Sequence, residues 1–302
     1  MDFNFLLGKY QFIFPKHNVQ SACTAHVPFS MWLIEKLNPR VIVELGTHYG
    51  MSYLSFCQIV KFLGYESKCV AIDHWLGEDQ AGSFTEDVFN SFVQNHQEYS
   101  EFSSFLRMDF SEGLTHIEDN TIELINIDGH HSYESVFGDF KNALPKINKN
   151  RGVVLFHDVN EYQEGFGVSR FWTELKKEYE HFEFFHGHGL GVLFIGKDFH
   201  HDIESLINTK KDRVSEDFVQ NFFQLLGQRV SMKSRIINLI KSNNELMSER
   251  INLIRNLDEC RIKADSKNQE VINLYKSRSF RVTSILRRIG KTLRSIKNSF
   301  KY

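Results

Sequence analysis

The stretch "VIVELGTHYGMSYLSF", residues 41–56, decides the fold. A short apolar, β-rich run reaches Gly46, the chain turns through Gly50, and a helical pattern begins near Ser52. Strand, glycine turn and helix in that order open a βα unit. Glycines at the turn let backbone approach a ligand, and the N-terminus of the helix behind them offers N–H donors. A dinucleotide turn needs G-x-G-x-x-G, whereas here the spacing is G-x-x-x-G, with Glu44 two residues before the first glycine. A carboxylate at the strand end repels phosphate and suits a cationic ligand or an amino group.

The same alternation continues outward through "CVAID" (69–73), "TEDVFNSFVQNHQEY" (85–99), "IELINID" (122–128), "SVFGDFKNALPKI" (135–147) and "GVVLFHDV" (152–159). Repeated βα units predict a Rossmann-like, doubly wound, mostly parallel sheet over residues 1–204. Right-handed crossovers then bring the carboxyl ends of the strands to one edge, where open α/β sheets bind ligands. Gly46, Asp73, Asp128 and Asp158 each end an apolar run, so all four are expected at that edge.

Composition limits the classes available. Of 302 residues, 41% are hydrophobic and 25% charged, and no apolar run reaches the ~18 residues that span a bilayer. The N-terminal stretch lacks the pattern of a secretion signal, so the expected location is the cytoplasm, extending to the inner membrane face. Cys23, Cys57, Cys69 and Cys260 are scattered without metal-type pairing and read as reduced thiols. The net charge of -2 conceals nine basic residues from Lys276 to Lys301 with no acid after Glu270. The acidic balance of the remainder argues against nucleic acid as a partner.

Asp73 ends the second strand, where an acidic side chain can accept both hydroxyls of a ribose; a capping aspartate is the alternative. "IDGHHSY", residues 127–133, delivers Asp128, His130 and His131 to one point, and "LFHDV" brings His157 and Asp158 to the same edge. Carboxylates suit magnesium, while an imidazole ligand shifts preference towards other divalent metals. His157 reads either as a ligand or as a donor behind the ligands.

With these motifs in place, residues 26–196 resemble class I S-adenosylmethionine-dependent methyltransferases, in the branch of macrolide-sugar and bacterial polysaccharide-associated O-methyltransferases. The resemblance rests on "ELGTHYGMS", on Asp128-Gly-His-His131 as D-x-x-H, and on the flanks "AHVPFSMWLIEKLNPRVIVELG" and "EGFGVSRFWTELKKEYEHFEFFHGHGLGVLFIG". It implies that Glu44, Gly46, Thr47, Gly50 and Ser52 hold the methionine end of S-adenosylmethionine. By the same resemblance Asp73 holds the ribose, and Asp109 and Phe110 border the adenine. It implies a divalent metal, magnesium in the first instance, at Asp128 and Asp158 with His157 beside them, and His131 as the general base. A sugar or glycan hydroxyl is the implied acceptor, with Gly165, Phe166, Gly167 and Arg170 on its side; the alternatives are a catechol or small natural product as acceptor, or a non-catalytic scaffold of the same fold in glycan assembly. His157 stands where relatives carry an acid and Val159 where the catechol type carries asparagine, which leaves the metal's identity open.

Beyond residue 204 a C-terminal helical and coiled-coil extension is expected. Leu239, Leu246, Leu253 and Cys260 recur every seven residues, flanked by Ile240, Met247 and Ile254. Residues 236–260 therefore read as a self-associating coiled coil, or as a helix packed on its own catalytic domain, within a segment 205–275. Residues 276–302 place Val282, Ile285, Leu286, Ile289, Leu293, Ile296 and Phe300 on one helical face and basic residues on the other. Such a helix lies on an anionic membrane surface, or docks on the acidic body of the protein. "SRSFRVTSILRRIGK" also resembles C-terminal sequences of surface-polysaccharide glycosyltransferases.

Overall fold

The computed structural model describes residues 2–19, 21–78, 82–83 and 85–299. Phe300, expected to end the apolar stripe, lies outside them. Seven strands form the main sheet: β1 Val41–Leu45, β2 Lys68–Asp73, β3 Ser103–Arg107, β4 Leu124–Ile127, β5 Val153–His157, β6 Glu180–Phe184 and β7 Leu190–Phe194. Their spatial order is β3-β2-β1-β4-β5-β7-β6. The first five pair in parallel, and β7 runs antiparallel between β5 and β6. The expected doubly wound, mostly parallel sheet is present.

Register explains why the site residues converge. Leu45 lies opposite both Ile72 and Ile127, and Ile127 lies opposite Phe156. The next residue on each strand is Gly46, Asp73, Asp128 or His157, so four chemically distinct positions share one level at the carboxyl edge. Strand order reverses between β2-β1 and β1-β4, which opens the crevice there.

Helices cover both faces. Helices α1 Val27–Leu37, α2 Met51–Leu63 and α3 Glu86–His96 lie on one side. Helices α4 Phe110–Thr115, α5 Tyr133–Ala143 and α6 Val168–Leu175 lie on the other. Each face has its own apolar core, one around Trp32, Phe29, Phe56 and Phe92, the other around Ile125, Phe140, Phe156 and Trp172. Asn38 ends α1 and Gly64 ends α2, both in the left-handed conformation that stops a helix.

Helix α7 spans His201–Thr209, and a long helix α8 spans Arg213–Lys276. The compact unit continues to Ile237, past the boundary expected at 204, because Val219 and Phe223 of α8 are buried in the first core region and Val230, further along the helix, is buried as well. Phe223 packs edge-on against Phe29 at 5.2 Å and meets Trp32 at 5.8 Å. Burial of such side chains contributes about 1.5–3 kcal/mol each.

The second unit, from Asn238 onward, contains the rest of α8 and α9 Arg278–Ser299. Leu239, Leu246, Leu253 and Cys260 are exposed, as are Val282, Ile285, Leu286, Ile289, Leu293 and Ile296. Among the described residues, no helix is long and apolar enough to cross a membrane.

Candidate active site

A cavity of about 1020 Å³ opens at the carboxyl edge of the sheet. On the side of β1, β2 and β3 it is lined by Gly46–Ser52, Asp73, Asp109 and Phe110, and on the side of β4 and β5 by Asp128, His131, His157 and Asp158. Of the residues expected to hold cofactor, metal or proton, Glu44 alone does not line it.

The glycine turn is built for close approach. Gly46 has φ +85°, and a Cβ there would fall on the carbonyl oxygen of Asp128. Gly50 has φ +86° and would press a Cβ to 2.8 Å from the Phe92 ring. Between them His48 also adopts positive φ, an arrangement that costs about 1–3 kcal/mol outside glycine. Asp73 holds it there: its Oδ2 accepts the N–H groups of Thr47 and His48 at 2.8 and 2.9 Å, and Oδ1 accepts that of Trp75 at 2.7 Å. Trp75 completes the clamp by donating its indole N–H to the His48 carbonyl at 2.9 Å. Asp73 therefore shapes the turn at the same time as it faces the cavity.

Glu44 lies behind this floor, with no exposed surface, and its Oε1 accepts from Asn126 Nδ2 at 2.9 Å. Burial pushes its pKa up to about 8, partly offset by Ser52 and Asn126. The folded chain thus holds this proton where the unfolded chain, with a value near 4.5, has released it. The stabilising contribution is complete below the unfolded value and is lost as pH rises through the folded one. Glu44→Gln, which keeps the shape without the titration, is expected to flatten the fall in stability between about pH 4.5 and about pH 8. That fall is at most about 1.4 kcal/mol per pH unit from this group. Urea unfolding across that range checks it, and an unchanged slope in the variant would dismiss the assignment.

The opposite end is a tight cluster. His157 Nδ1 donates to Asp158 Oδ1 at 3.0 Å and lies 3.5 Å from Asp128 Oδ1. His131 Nε2 meets Asp158 Oδ2 at 2.7 Å. Asp158 itself has φ +62°, one of the few non-glycine residues with positive φ. Burial disfavours its carboxylate, yet hydrogen bonds from His131 and His157 outweigh it and hold the pKa well below the usual range. Burial also works against the His157 imidazolium, and Cys23, Asp128 and Asp158 outweigh it, raising that pKa.

Phe166 stacks on the His131 ring, with centroids 4.8 Å apart. The Gly167 N–H donates to the His131 carbonyl at 2.7 Å, and a Cβ on Gly167 would collide with the backbone of Tyr133. The loop after β5 is thereby tied to the segment carrying His131, which bears on the expectation for Gly165–Gly167.

One donor escaped the sequence reading. Cys23, in the short helix Ala22–His26, donates its thiol hydrogen to Asp128 Oδ2 at 2.9 Å. Burial, then Asp128, pushes the thiol up to about 12. Two donor triplets result, Cys23–Asp128–His157 and Asp128–His131–Asp158, each with its ligand atoms within 4.8 Å of one another. Both fit a divalent cation by their chemistry, and His157 belongs to one while Asp158 belongs to the other.

Residues 43–159 match a family model described as a methyltransferase domain. A protein of Sinorhizobium fredii is 41% identical over 208 residues, which is 69% of this chain and 23% of that protein. A protein of Acanthamoeba polyphaga mimivirus is 28% identical over 127 residues, 40% of this chain and 52% of its own length. The chain therefore spans about a quarter and about half of these relatives. Among solved structures, it is similar to the SAH-bound methyltransferase of Podospora anserina, with a TM-score of 0.45, 13% identity, and coverage of 63% of this chain and 85% of that one.

Proposed function

We propose that this chain, whose residues 43–159 match a methyltransferase-domain model, is a class I enzyme that transfers a methyl group from S-adenosylmethionine to a hydroxyl oxygen of a sugar in a surface glycan or its precursor. The observation that carries the reading is the cavity running from the Gly46–Ser52 turn to the Asp128, His131 and Asp158 cluster. A cofactor held at one end would point its reacting group at polar residues on the other. The sulfonium supplies an activated methyl group when bound.

The residues of the chain then have distinct tasks. The turn and Asp73 grip the cofactor, while Phe110 and the start of α4 border its flat end. A divalent cation, magnesium or a relative, would be held by carboxylates of the cluster and would lower the pKa of the acceptor hydroxyl. His131 takes the hydroxyl proton, and a proton held at Nε2 is stabilised by Asp158 Oδ2, 2.7 Å away. The polar mouth, with Ser21, His48, His130 and Glu134, suits a hydroxyl-rich acceptor.

Calorimetric titration with S-adenosylmethionine tests the reading. Affinity near micromolar, about -8 kcal/mol, is expected, with loss in Asp73→Ala. Product formation with nucleotide-sugar and lipid-linked sugar acceptors, with and without chelator, then identifies the acceptor class. Absence of cofactor binding at ~1 mM would sink the proposal.

Residues 276–302, through helix α9 at Arg278–Ser299, supply a second element, an amphipathic helix resting on anionic lipid at the inner membrane face. Exposure of Val282, Ile285, Leu286, Ile289 and Ile296, on a segment with only basic charges, supports it. Deleting these residues is expected to abolish binding to anionic vesicles and leave cofactor affinity intact; vesicle binding equal to that of the full chain would refute it. Residues 236–260, with their exposed leucine repeat, are proposed to pair with a second copy.

A further inference from the structure

We propose that Cys23, Asp128 and His157 form a transition-metal site with a thiolate ligand, leaving His131 and Asp158 to handle the proton. This refines the metal component of the reading above. The two triplets share Asp128, but differ in what they would bind and in what they leave behind.

Cys23 and His157 are buried at 8% and 3% exposure, and only the third donor, Asp128, opens more widely to the large cavity. Three protein donors with one open approach match the coordination of a catalytic zinc-type ion, whose fourth position takes an exchangeable oxygen. Sulfur and imidazole donors select Zn²⁺, Co²⁺ or Fe²⁺ over Mg²⁺, which prefers oxygens and retains water.

The thiol is held in place before any ion arrives. Ser21 Oγ accepts the Cys23 N–H at 3.0 Å, fixing the start of the short helix. His26 at its other end donates Nε2–H to the Gly187 carbonyl at 3.0 Å, fixing it to the loop before β7. The thiol already points at a carboxylate that an ion would bridge. On binding, the S–H proton and the Nδ1 proton of His157 leave to solvent, and Sγ, a carboxylate oxygen and an imidazole nitrogen become ligands.

The division of labour follows. If the ion took Asp128, His131 and Asp158, the ring assigned to proton transfer would be spent on coordination. Ligation by Cys23, Asp128 and His157 keeps the His131–Asp158 pair intact at 2.7 Å.

Titrating the full chain with Co²⁺ and recording its absorption spectrum tests the site. The wild type and His131→Ala are expected to show a sulfur-to-cobalt charge-transfer band in the near ultraviolet, with proton release to the buffer. Cys23→Ser should lose the band and bind Co²⁺ at least ~100-fold more weakly, while Cys260→Ser should keep it. Failure of Co²⁺ to bind, binding without the band, or a band that persists in Cys23→Ser overturns the proposal. Should Cys23→Ser not fold, X-ray absorption of the cobalt-loaded wild type decides: one sulfur neighbour at about 2.3 Å supports the site, and only nitrogen and oxygen neighbours refute it. Calorimetry with S-adenosylmethionine fails independently if the methyltransferase reading is at fault, so the two failures are distinguishable.

Discussion

Gly46→Ala is expected to remove detectable cofactor binding and to destabilise the domain by at least ~3 kcal/mol. Two costs combine. The residue sits at φ +85°, where a side chain alone costs about 1–3 kcal/mol. The added methyl also falls on the carbonyl oxygen of Asp128, which is backbone and cannot rotate away. Relief requires β1 and β4 to separate at their carboxyl ends, and the Leu45–Ile127 register at that point is part of the sheet. Moving Asp128 would also disturb the cluster to which it belongs. Gly138→Ala provides the control, because a Cβ there meets nothing within 4 Å and alanine favours helix α5. Urea unfolding and cofactor calorimetry of both variants check the expectation. A Gly46→Ala protein that unfolds at the wild-type midpoint and retains affinity would show that the close approach does not constrain the turn.

The carboxyl edge was legible because its logic is local. Each of Gly46, Asp73 and Asp128 ends an apolar run, and strand pairing then aligns those ends without further information. Glu44 was legible as a carboxylate in β1 but not as a group behind the floor, since its burial depends on Asn126 arriving from β4. Asp73 was legible as an acid at a strand end, while its grip on the Thr47 and His48 amides depends on backbone donors that no side-chain pattern records.

Distance in sequence concealed the rest. Cys23 meets Asp128 across 105 positions, and nothing near either residue marks the pairing. The first turns of α8 read as an extension because the loss of glycine and proline after residue 204 resembles a linker to a coiled coil. Val219, Phe223 and Val230 nevertheless share a buried stripe, and it is this apolar spacing that extends the body to Ile237.

His131→Ala is expected to lower turnover by at least ~10²-fold while leaving cofactor affinity unchanged, the signature of a group that acts on the acceptor proton. The geometry explains the separation of effects. His131 stands with Asp158, on the β4–β5 side of the cavity, whereas the glycine turn and Asp73 stand on the β1–β2 side. Asp158→Asn probes the same unit from its other member. Asparagine tolerates the positive φ of that position, so the fold is expected to survive. The amide carries no charge to stabilise an imidazolium, and turnover should fall again by at least ~10²-fold. Because the two groups act together, the double variant should be little slower than either single one. Additive losses would mean that Asp158 and His131 work on separate steps, and full turnover in His131→Ala would assign proton removal to another residue. Measuring the pH profile of the residual activity separates these outcomes, since loss of the base removes the ascending limb while loss of a positioning contact leaves it in place.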